Sequence, residues 1–283
     1  MEHEGAGTPG TSRTVSAWLG GLDGGTWWAR DDREPHLAAS TMKLPVAVAA
    51  LRAHAAGTLD LDRAVAVHDD FASVVAGERF TMDADYDQDP RTWAERGGTV
   101  PLRDLVHRML AHSGNLATNL VLEQVGTAAV AAVLEEAGCS ERTVVARGIE
   151  DGPGRRAGLE NVVTARDLGL VLVGAVDQRL LDAASAHAIE RDLLAQVFRD
   201  GIPAGLPAGV TVANKTGWIG GVNHDVALVR PDAHPPFVLV VLTRHGASER
   251  EGEQLVADVA SRAWAALTER AGRPLHHGDP APS

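Results

Sequence analysis

One stretch of the chain is apolar at almost every position: Phe237-Val238-Leu239-Val240-Val241-Leu242-Thr243. A strand whose successive side chains are all apolar has to be covered on both of its faces. Farther along, Val256, Val259, Ala260, Ala263, Trp264 and Leu267 fall on one stripe and predict a long amphipathic helix that closes the fold.

Strand patterns occur at both ends of the chain, with helical patterns between them. Residues 14–19 and 26–29 predict a hairpin across a Gly-rich turn, and residues 210–215 and 225–229 predict two later strands. We therefore expect an α+β fold, with an antiparallel sheet built from both termini and flanked by helices, plus an inserted all-helical lobe. A cleft between the two lobes is the natural place for a functional site.

The middle of the chain carries several helix signals. One clean face is formed by Leu102, Leu105, Val106, Met109 and Leu110. Residues 116–125 predict a helix that Gly126 stops, and residues 127–138 predict another. Thr164 to Asp167 fits a capping box that opens a helix, and apolar residues between Ile189 and Phe198 predict one more.

No linker composition divides the chain, so we expect a single domain over residues 14–272. Its sheet lobe would comprise residues 14–38 and 203–272, and its helical lobe residues 39–202. The two ends, residues 1–13 and 273–283, lack periodicity and are expected to be disordered.

Composition excludes several classes of partner. The formal charge of −12 argues against nucleic acid and anionic membranes, which select for clusters of Lys and Arg. Cys139 is the only cysteine, which rules out an internal disulfide. No secretion signal or segment of membrane-spanning length is recognisable, so we expect a cytoplasmic monomer acting on a small molecule. No His spacing indicates a zinc site, and no cofactor is implied.

The chemistry is carried by three short motifs, of which Ser40-Thr41-Met42-Lys43 is the most informative. A hydroxyl and an amine three residues apart share a helix face, where a Lys that loses its proton easily can activate the serine. The ordinary alternative is a helix cap followed by a solvated Lys. The other two motifs, Ser113-Gly114-Asn115 and Lys215-Thr216-Gly217, are weak signals when taken singly. The ordinary alternative is an interhelical turn for the first and the end of a strand running into a turn for the second.

In this order the three motifs resemble the signature of the penicillin-recognising serine hydrolases, above all the class A β-lactamases. The resemblance extends from about residue 18 to residue 270. It includes Thr41-Met42-Lys43-Leu44-Pro45-Val46 around the serine, Leu116-Ala117-Thr118-Asn119 after the second motif and Asn223-His224-Asp225-Val226 after the third.

The resemblance implies a role for each motif. Ser40 would be acylated, with Lys43 accepting its proton directly or through a water, and the amides of Ser40 and Trp218 would form an oxyanion hole. Ser113 would pass a proton to the leaving group with help from Lys215.

The same resemblance implies how substrate is held. Asn115 would orient Lys43 and the substrate. Lys215, Thr216 and Gly217 would bind the carboxylate that β-lactams carry. His224 would support that pocket, unless it is simply a buried, hydrogen-bonded histidine.

Two departures from the family pattern bear on function. Class A enzymes use a loop Glu to activate the water that releases the acyl group, and here Glu150 is the candidate, with Glu160 a weaker one. The Leu-Asn that should follow is Pro153-Gly154. The second motif has Gly114 in place of Asp, which removes a carboxylate that would brace the loop.

Three hypotheses therefore stay open: a β-lactamase, a cytoplasmic esterase, amidase or acyltransferase on the same fold, and a binding or sensor module that stalls after acylation. The expected location weighs against the first. Residues 71–98 are predicted to overhang the cleft, with Trp93 either on its wall or in the core.

Overall fold

The computed structural model describes residues 13–271, without the side chains of residues 270 and 271. The predicted terminal disorder falls outside this range, apart from Arg13. In chain order the strands are β1 (Thr14–Gly21), β2 (Thr26–Arg30), β3 (His36–Leu37), β4 (Ala64–Ala66), β5 (Asp70–Ala72), β6 (Arg79–Thr81), β7 (Thr99–Pro101), β8 (Val162–Val163), β9 (Thr211–Ile219), β10 (Val222–Arg230) and β11 (Phe237–Arg244).

The helices alternate with these strands and fill the middle of the chain. They are α1 (Lys43–Ala55), α2 (Pro90–Ala94), α3 (Leu102–Ala111), α4 (Asn115–Glu136), α5 (Gly152–Arg156), α6 (Ala165–Val176), α7 (Ala183–Leu194) and α8 (Glu249–Ala271). Short 3-10 turns cover Ala39–Met42, Ala84–Tyr86 and Ile202–Gly205.

The main sheet has five antiparallel strands in the order β2-β1-β11-β10-β9. Strand β11 lies at its centre, where Val240 pairs with Trp18 on one side and Val226 on the other. Its alternate residues belong to two separate apolar clusters, so both faces are covered, as predicted. The predicted α+β fold, with a sheet built from both ends of the chain, is confirmed.

Helices cover the two faces of this sheet. Val256 and Ala260 of α8 lie in the cluster on one face, together with Leu239 of β11. On the other face the ring of Trp18, fully buried, packs against Gly169 of α6 so closely that a side chain there would clash. The Trp18 indole also donates to the Thr26 hydroxyl at 2.9 Å, which satisfies its polar atom.

The helix predictions hold with three corrections. Helix α4 is interrupted at Gly126 (φ 75°, ψ 155°), as predicted. By length and composition alone, α4 could nevertheless cross a membrane. This corrects the expectation that no segment of the chain reaches membrane-spanning length. Half of the apolar window of α4 is buried in the molecule, and helices in the cores of soluble proteins satisfy the same criterion.

The second correction concerns α7, which ends at Leu194, so Val197 and Phe198 lie beyond it and not on its stripe. The third concerns the capping box. Thr164 caps α6, because its hydroxyl accepts a hydrogen bond from the Asp167 amide at 3.1 Å. The Asp167 carboxylate, however, accepts from Ser140 and Thr143 and not from the Thr164 amide, so the reciprocal bond of a capping box is missing.

Candidate active site

Ser40 lies in the 3-10 turn that leads directly into α1. The turn is fixed by the Thr41 hydroxyl, which donates to the Ala38 carbonyl at 2.6 Å, and Ala39 adopts a positive φ of 44°. Ser40 remains half-buried, whereas Thr41 and Lys43 are fully buried. The serine is therefore the accessible member of the first motif, and it is held at the start of a rigid helix.

Among the described residues, Lys43 hydrogen-bonds to the second motif and not to Ser40. Its Nζ donates to the Ser113 carbonyl at 2.6 Å, to Asn115 Oδ1 at 2.8 Å and to Ser113 Oγ at 3.3 Å. Burial lowers the pKa of Lys43 to about 7, against the opposing effect of the Asp87 carboxylate. The alternative of a solvated Lys is therefore wrong, and the amine is poised to act as a base near neutral pH.

Lys215 reaches the same hydroxyl from the other side. Its Nζ donates to Ser113 Oγ at 3.0 Å and to the Thr216 carbonyl at 2.8 Å. Burial, and then the charge of Lys43, hold the pKa of Lys215 well below its ordinary value, while Asp225 opposes both. Ser113 itself has a positive φ of 55°, so the turn between α3 and α4 presents its side chain to both amines.

The carboxylate that Gly114 lacks is supplied by Asp87, a residue whose role the sequence did not reveal. Asp87 Oδ1 accepts from the Asn115 amide at 2.8 Å and Oδ2 from the Leu116 amide at 2.7 Å, which caps α4. The Trp93 indole also donates to Asp87 at 2.8 Å. The only available signal was the acidic run around Tyr86 in the predicted overhang.

Residues 71–98 do extend to the site. The side-chain amide of Asn115 donates to the Tyr86 carbonyl at 2.8 Å. Trp93 packs against the main core cluster, which favours the core alternative for this residue over a place on the cleft wall.

The third motif lies within β9 and not at its end, because the strand continues to Ile219. A Cβ on Gly217 would lie 2.8 Å from the Ser40 amide nitrogen, so only glycine allows this close approach. Trp218 follows, with its ring edge-on to Phe198 at 4.8 Å between centroids. The segment bearing the Trp218 amide thus lies beside Ser40, as an oxyanion hole requires.

Among the described residues, Glu150 makes no hydrogen bond to the three motifs. Its Oε2 accepts from the Asp83 amide at 2.9 Å, and its Oε1 is buried without a partner in the described part of the chain. Burial raises the pKa of Glu150, and it adopts a positive φ of 63°. Asn119 holds the preceding residue, Ile149, by two hydrogen bonds of 2.8 Å.

Glu160, the weaker candidate, and Asn161, which follows it, both have structural contacts. Glu160 accepts from Arg147 at 2.7 Å and so ties the two ends of the loop together. Asn161 accepts from the amides of Ala146 and Arg147 and donates to the Met42 sulfur. In the part of the chain that the structure describes, neither residue hydrogen-bonds to Glu150.

His224 has both ring nitrogens occupied by the backbone. Nε2 lies 2.9 Å from the Leu37 carbonyl, and Nδ1 lies 3.1 Å from the Thr243 amide. Burial lowers the pKa of His224 to about 4, so the ring is neutral. It lines a cavity beside Thr216. These contacts favour the interpretation of His224 as a buried, hydrogen-bonded histidine over a role in supporting the carboxylate pocket. No cluster of His, Cys, Asp and Glu suited to a metal ion occurs among residues 13–271.

Comparison with known proteins agrees with this geometry. The model of the "Beta-lactamase enzyme family" matches residues 8–267. The chain belongs to the beta-lactamase enzyme family. As a family member, it is 26% identical over 254 residues to the extended-spectrum beta-lactamase PER-1 of Pseudomonas aeruginosa, a match that covers 84% of this chain and 80% of PER-1.

Solved structures of beta-lactamases and of PBP-A have the same fold as this chain. The beta-lactamase of Sphaerobacter thermophilus superposes with a TM-score of 0.77 at 26% identity over 92% of both chains. A mutant of PBP-A, solved as an acyl-enzyme complex with penicillin G, shares the fold with a TM-score of 0.74 at 22% identity over 92% of both chains. The resemblance to class A β-lactamases is confirmed, and the protein is a class A β-lactamase-like serine hydrolase.

Proposed function

We propose that this beta-lactamase family member hydrolyses the amide bond of β-lactams through an acyl-enzyme on Ser40. The observation that carries the proposal is the position of Ser113 Oγ between the buried amines of Lys43 and Lys215. Two amines with lowered pKa values around one hydroxyl form a route for protons without any histidine.

Acylation would proceed as follows. Neutral Lys43 takes the proton of Ser40, directly or through a water, as the serine oxygen attacks the lactam carbonyl carbon. The amides of Ser40 and Trp218 stabilise the oxyanion. When the carbon–nitrogen bond breaks, Ser113 gives its proton to the ring nitrogen and regains one from the neighbouring lysines.

Deacylation would require an activated water, for which Glu150 is our candidate. Only one of its carboxylate oxygens has a hydrogen-bond donor in the described chain, and a buried oxygen of this kind needs one. A water held there would give its proton to Glu150 as it attacks the ester carbonyl, and Ser40 would leave as the restored hydroxyl.

One observation favours a second function. The only hydrogen bond of the Glu150 carboxylate in residues 13–271 is to the Asp83 amide, and none joins it to Ser40, Lys43 or Asn161. If no water reaches both Glu150 and the acyl group, the enzyme would be acylated and then stall, as in a binding or sensor module.

Turnover of a chromogenic cephalosporin tests the proposal. We expect wild-type hydrolysis to vanish in Ser40→Ala, and Glu150→Gln to show a burst of one equivalent followed by a slower steady rate. Glu141→Gln is the control, because Glu141 is exposed and its carboxylate has no hydrogen bond or ion pair within residues 13–269, and it should show no burst.

Intact mass spectrometry separates the alternatives. A Ser40 adduct that persists in the wild type, without steady turnover, would support the stalled module. Cleavage of short aryl esters without any reaction with cephalosporins would favour an esterase and contradict the proposal. The expectations of a monomer, a small-molecule substrate and a cytoplasmic location remain predictions.

A further inference from the structure

The segment that leads to Ser40 crosses one row of residues in the main sheet. Gly217 of β9 pairs directly with His224 of β10. Leu242 of β11 pairs with His224 on one side and with Ser16 of β1 on the other. Directly paired residues of antiparallel strands point to the same side of a sheet, so these four residues share one face.

The two ends of this row contact the two ends of residues 36–40. His36 Nε2 lies 2.9 Å from Ser16 Oγ, on β1. At the other end of the row, a Cβ on Gly217 would lie 2.8 Å from the Ser40 amide nitrogen, so the serine lies against β9. The segment therefore runs across the strands and not along them.

The contact in the middle of the row is made by the His224 ring. The Thr243 amide donates to its Nδ1 at 3.1 Å, so this nitrogen carries no proton. The proton of the neutral ring is therefore on Nε2, which donates to the Leu37 carbonyl at 2.9 Å. The His36 ring packs edge-on against His224, at 5.5 Å between centroids, and so limits its rotation.

The residue before Ser40 has a strained backbone. Ala39 adopts a φ of 44°, in the left-handed region that alanine rarely occupies. A conformation of this kind persists only where the surrounding structure holds it. The bond from His224 to the Leu37 carbonyl provides such a hold two residues upstream. Because His224 is itself paired with Gly217, one residue links the segment before the serine to β9.

We propose that His224 is a positioning residue for acylation, whose bond to the Leu37 carbonyl sets the distance between the amides of Ser40 and Trp218 that bind the oxyanion. The inference rests on the proposed function, because it concerns the acylation of Ser40. Both ring nitrogens are occupied by the backbone, so His224 acts by holding the chain and not by transferring a proton. Misplacing an oxyanion donor slows the chemical step and leaves the initial binding of substrate unchanged.

Two amide side chains separate the two hydrogen bonds of the ring. The carboxamide of Gln extends as far from the backbone as Nε2, and that of Asn only as far as Nδ1. His224→Gln therefore retains a donor for the Leu37 carbonyl, whereas His224→Asn retains an acceptor for the Thr243 amide. With a chromogenic cephalosporin, we expect acylation within about threefold of the wild-type rate for Gln and at least about tenfold slower for Asn. The apparent dissociation constant before acylation should stay within about threefold of the wild-type value in both.

The same pair of variants tests a merely structural role for His224. Each variant loses one hydrogen bond of the ring, so urea unfolding should show similar losses of stability in both. Similar acylation rates in the two folded variants, whether fast or slow, would overturn the inference. If His224→Asn does not fold, His224→Gln decides alone, and a loss of at least about tenfold in its acylation rate would contradict the inference.

A second reagent separates the inference from the proposed function. An alkyl fluorophosphonate requires no recognition of a β-lactam: a bond forms between Ser40 Oγ and phosphorus, fluoride leaves, and the serine proton passes to Lys43. Intact mass spectrometry should show the same order of rates, with the wild type and His224→Gln faster than His224→Asn. If no β-lactam acylates Ser40 but phosphonylation follows this order, the proposed function fails and the role of His224 stands. Equal phosphonylation of the three proteins, or a wild type that reacts with neither reagent, would overturn the inference.

Discussion

The amine of Lys215 and the hydroxyl of Ser113 lie 3.0 Å apart, although 102 residues separate them in the chain. Lys43 approaches the same hydroxyl from α1, so strand β9, helix α1 and the turn before α4 meet at one oxygen. Two buried amines this close disfavour each other's charge. The structure therefore holds at least one of them ready to accept a proton.

The first prediction concerns pH. Because the pKa of Lys43 is lowered to about 7, the amine is protonated below that pH and cannot act as a base. The rate of Ser40 acylation should rise about tenfold per pH unit below about 7 and level off above it. Single-turnover acylation across the pH range would measure this. Lys43→Arg, which keeps the charge at every pH, should be inactive throughout, and a flat wild-type profile would rule out Lys43 as the base.

The second prediction concerns Asp87. Asp87→Asn weakens two hydrogen bonds to the start of α4 and removes the charge that raises the pKa of Lys43. We expect acylation to slow about tenfold and the midpoint of its pH profile to move to lower pH. A purely structural brace would leave that midpoint unchanged. Asp85→Asn is the control, since the Asp85 carboxylate has no hydrogen bond or ion pair within residues 13–269.

The third prediction concerns the approach of β9 to Ser40. In Gly217→Ala the new methyl group would lie 2.8 Å from the Ser40 amide and 2.9 Å from that of Thr41. Misplacing these groups should slow acylation by about 10²-fold while the protein still folds. Gly220→Ala, where nothing lies within 4 Å of the added Cβ, should be neutral. Equal rates in both variants would show that this contact does not define the site.

The fourth prediction concerns acid stability. Burial lowers the pKa of His36 to about 3 and that of His224 to about 4, from 6.5. Between about pH 6.5 and 4 the unfolded chain binds more protons than the folded one, so the free energy of unfolding should fall by a few kcal/mol as pH falls. Asp225, whose pKa is raised to about 7, contributes with the opposite sign.

Urea unfolding at about pH 7 and pH 4.5 checks this prediction. His36→Gln removes one of the two groups, including its hydrogen bond to Ser16 Oγ at 2.9 Å, and should lose less stability between the two pH values than the wild type. The contribution of Asp225 to the pH dependence is the same in the wild type and the variant, so it does not affect the difference between them. An equal loss in the variant would mean that His36 does not titrate with unfolding.

The strands and the helix faces could be predicted because each depends on local periodicity. Every position from Phe237 to Leu242 is apolar, and that pattern alone required a sheet covered on both faces, which the structure has. Strand β9 was predicted to end at Lys215, because Thr216 and Gly217 are also compatible with a turn, whereas the strand continues to Ile219 and Thr216 is buried within it. The end of helix α7 was predicted too late in the chain. Phe198 is apolar because it packs against the Trp218 ring, and Val197 is exposed, so neither residue belongs to the apolar face of the helix.

The three motifs predicted which residues form the site, but not which other residues they contact. Asp87 is 28 residues from Asn115, and no spacing rule relates them. The partner of Glu150 is likewise remote, since Asp83 is 67 positions away in the chain.

The sequence by itself determined the five strands of the main sheet, the longer helices between them and the residue types at the reacting centre, since hydrophobic periodicity and short motifs are properties of neighbours along the chain. Only the tertiary structure decided the lowered pKa values of Lys43 and Lys215 and the bracing of α4 by Asp87. Each of these depends on desolvation or on charge across space, and both are set by segments that are distant in the sequence.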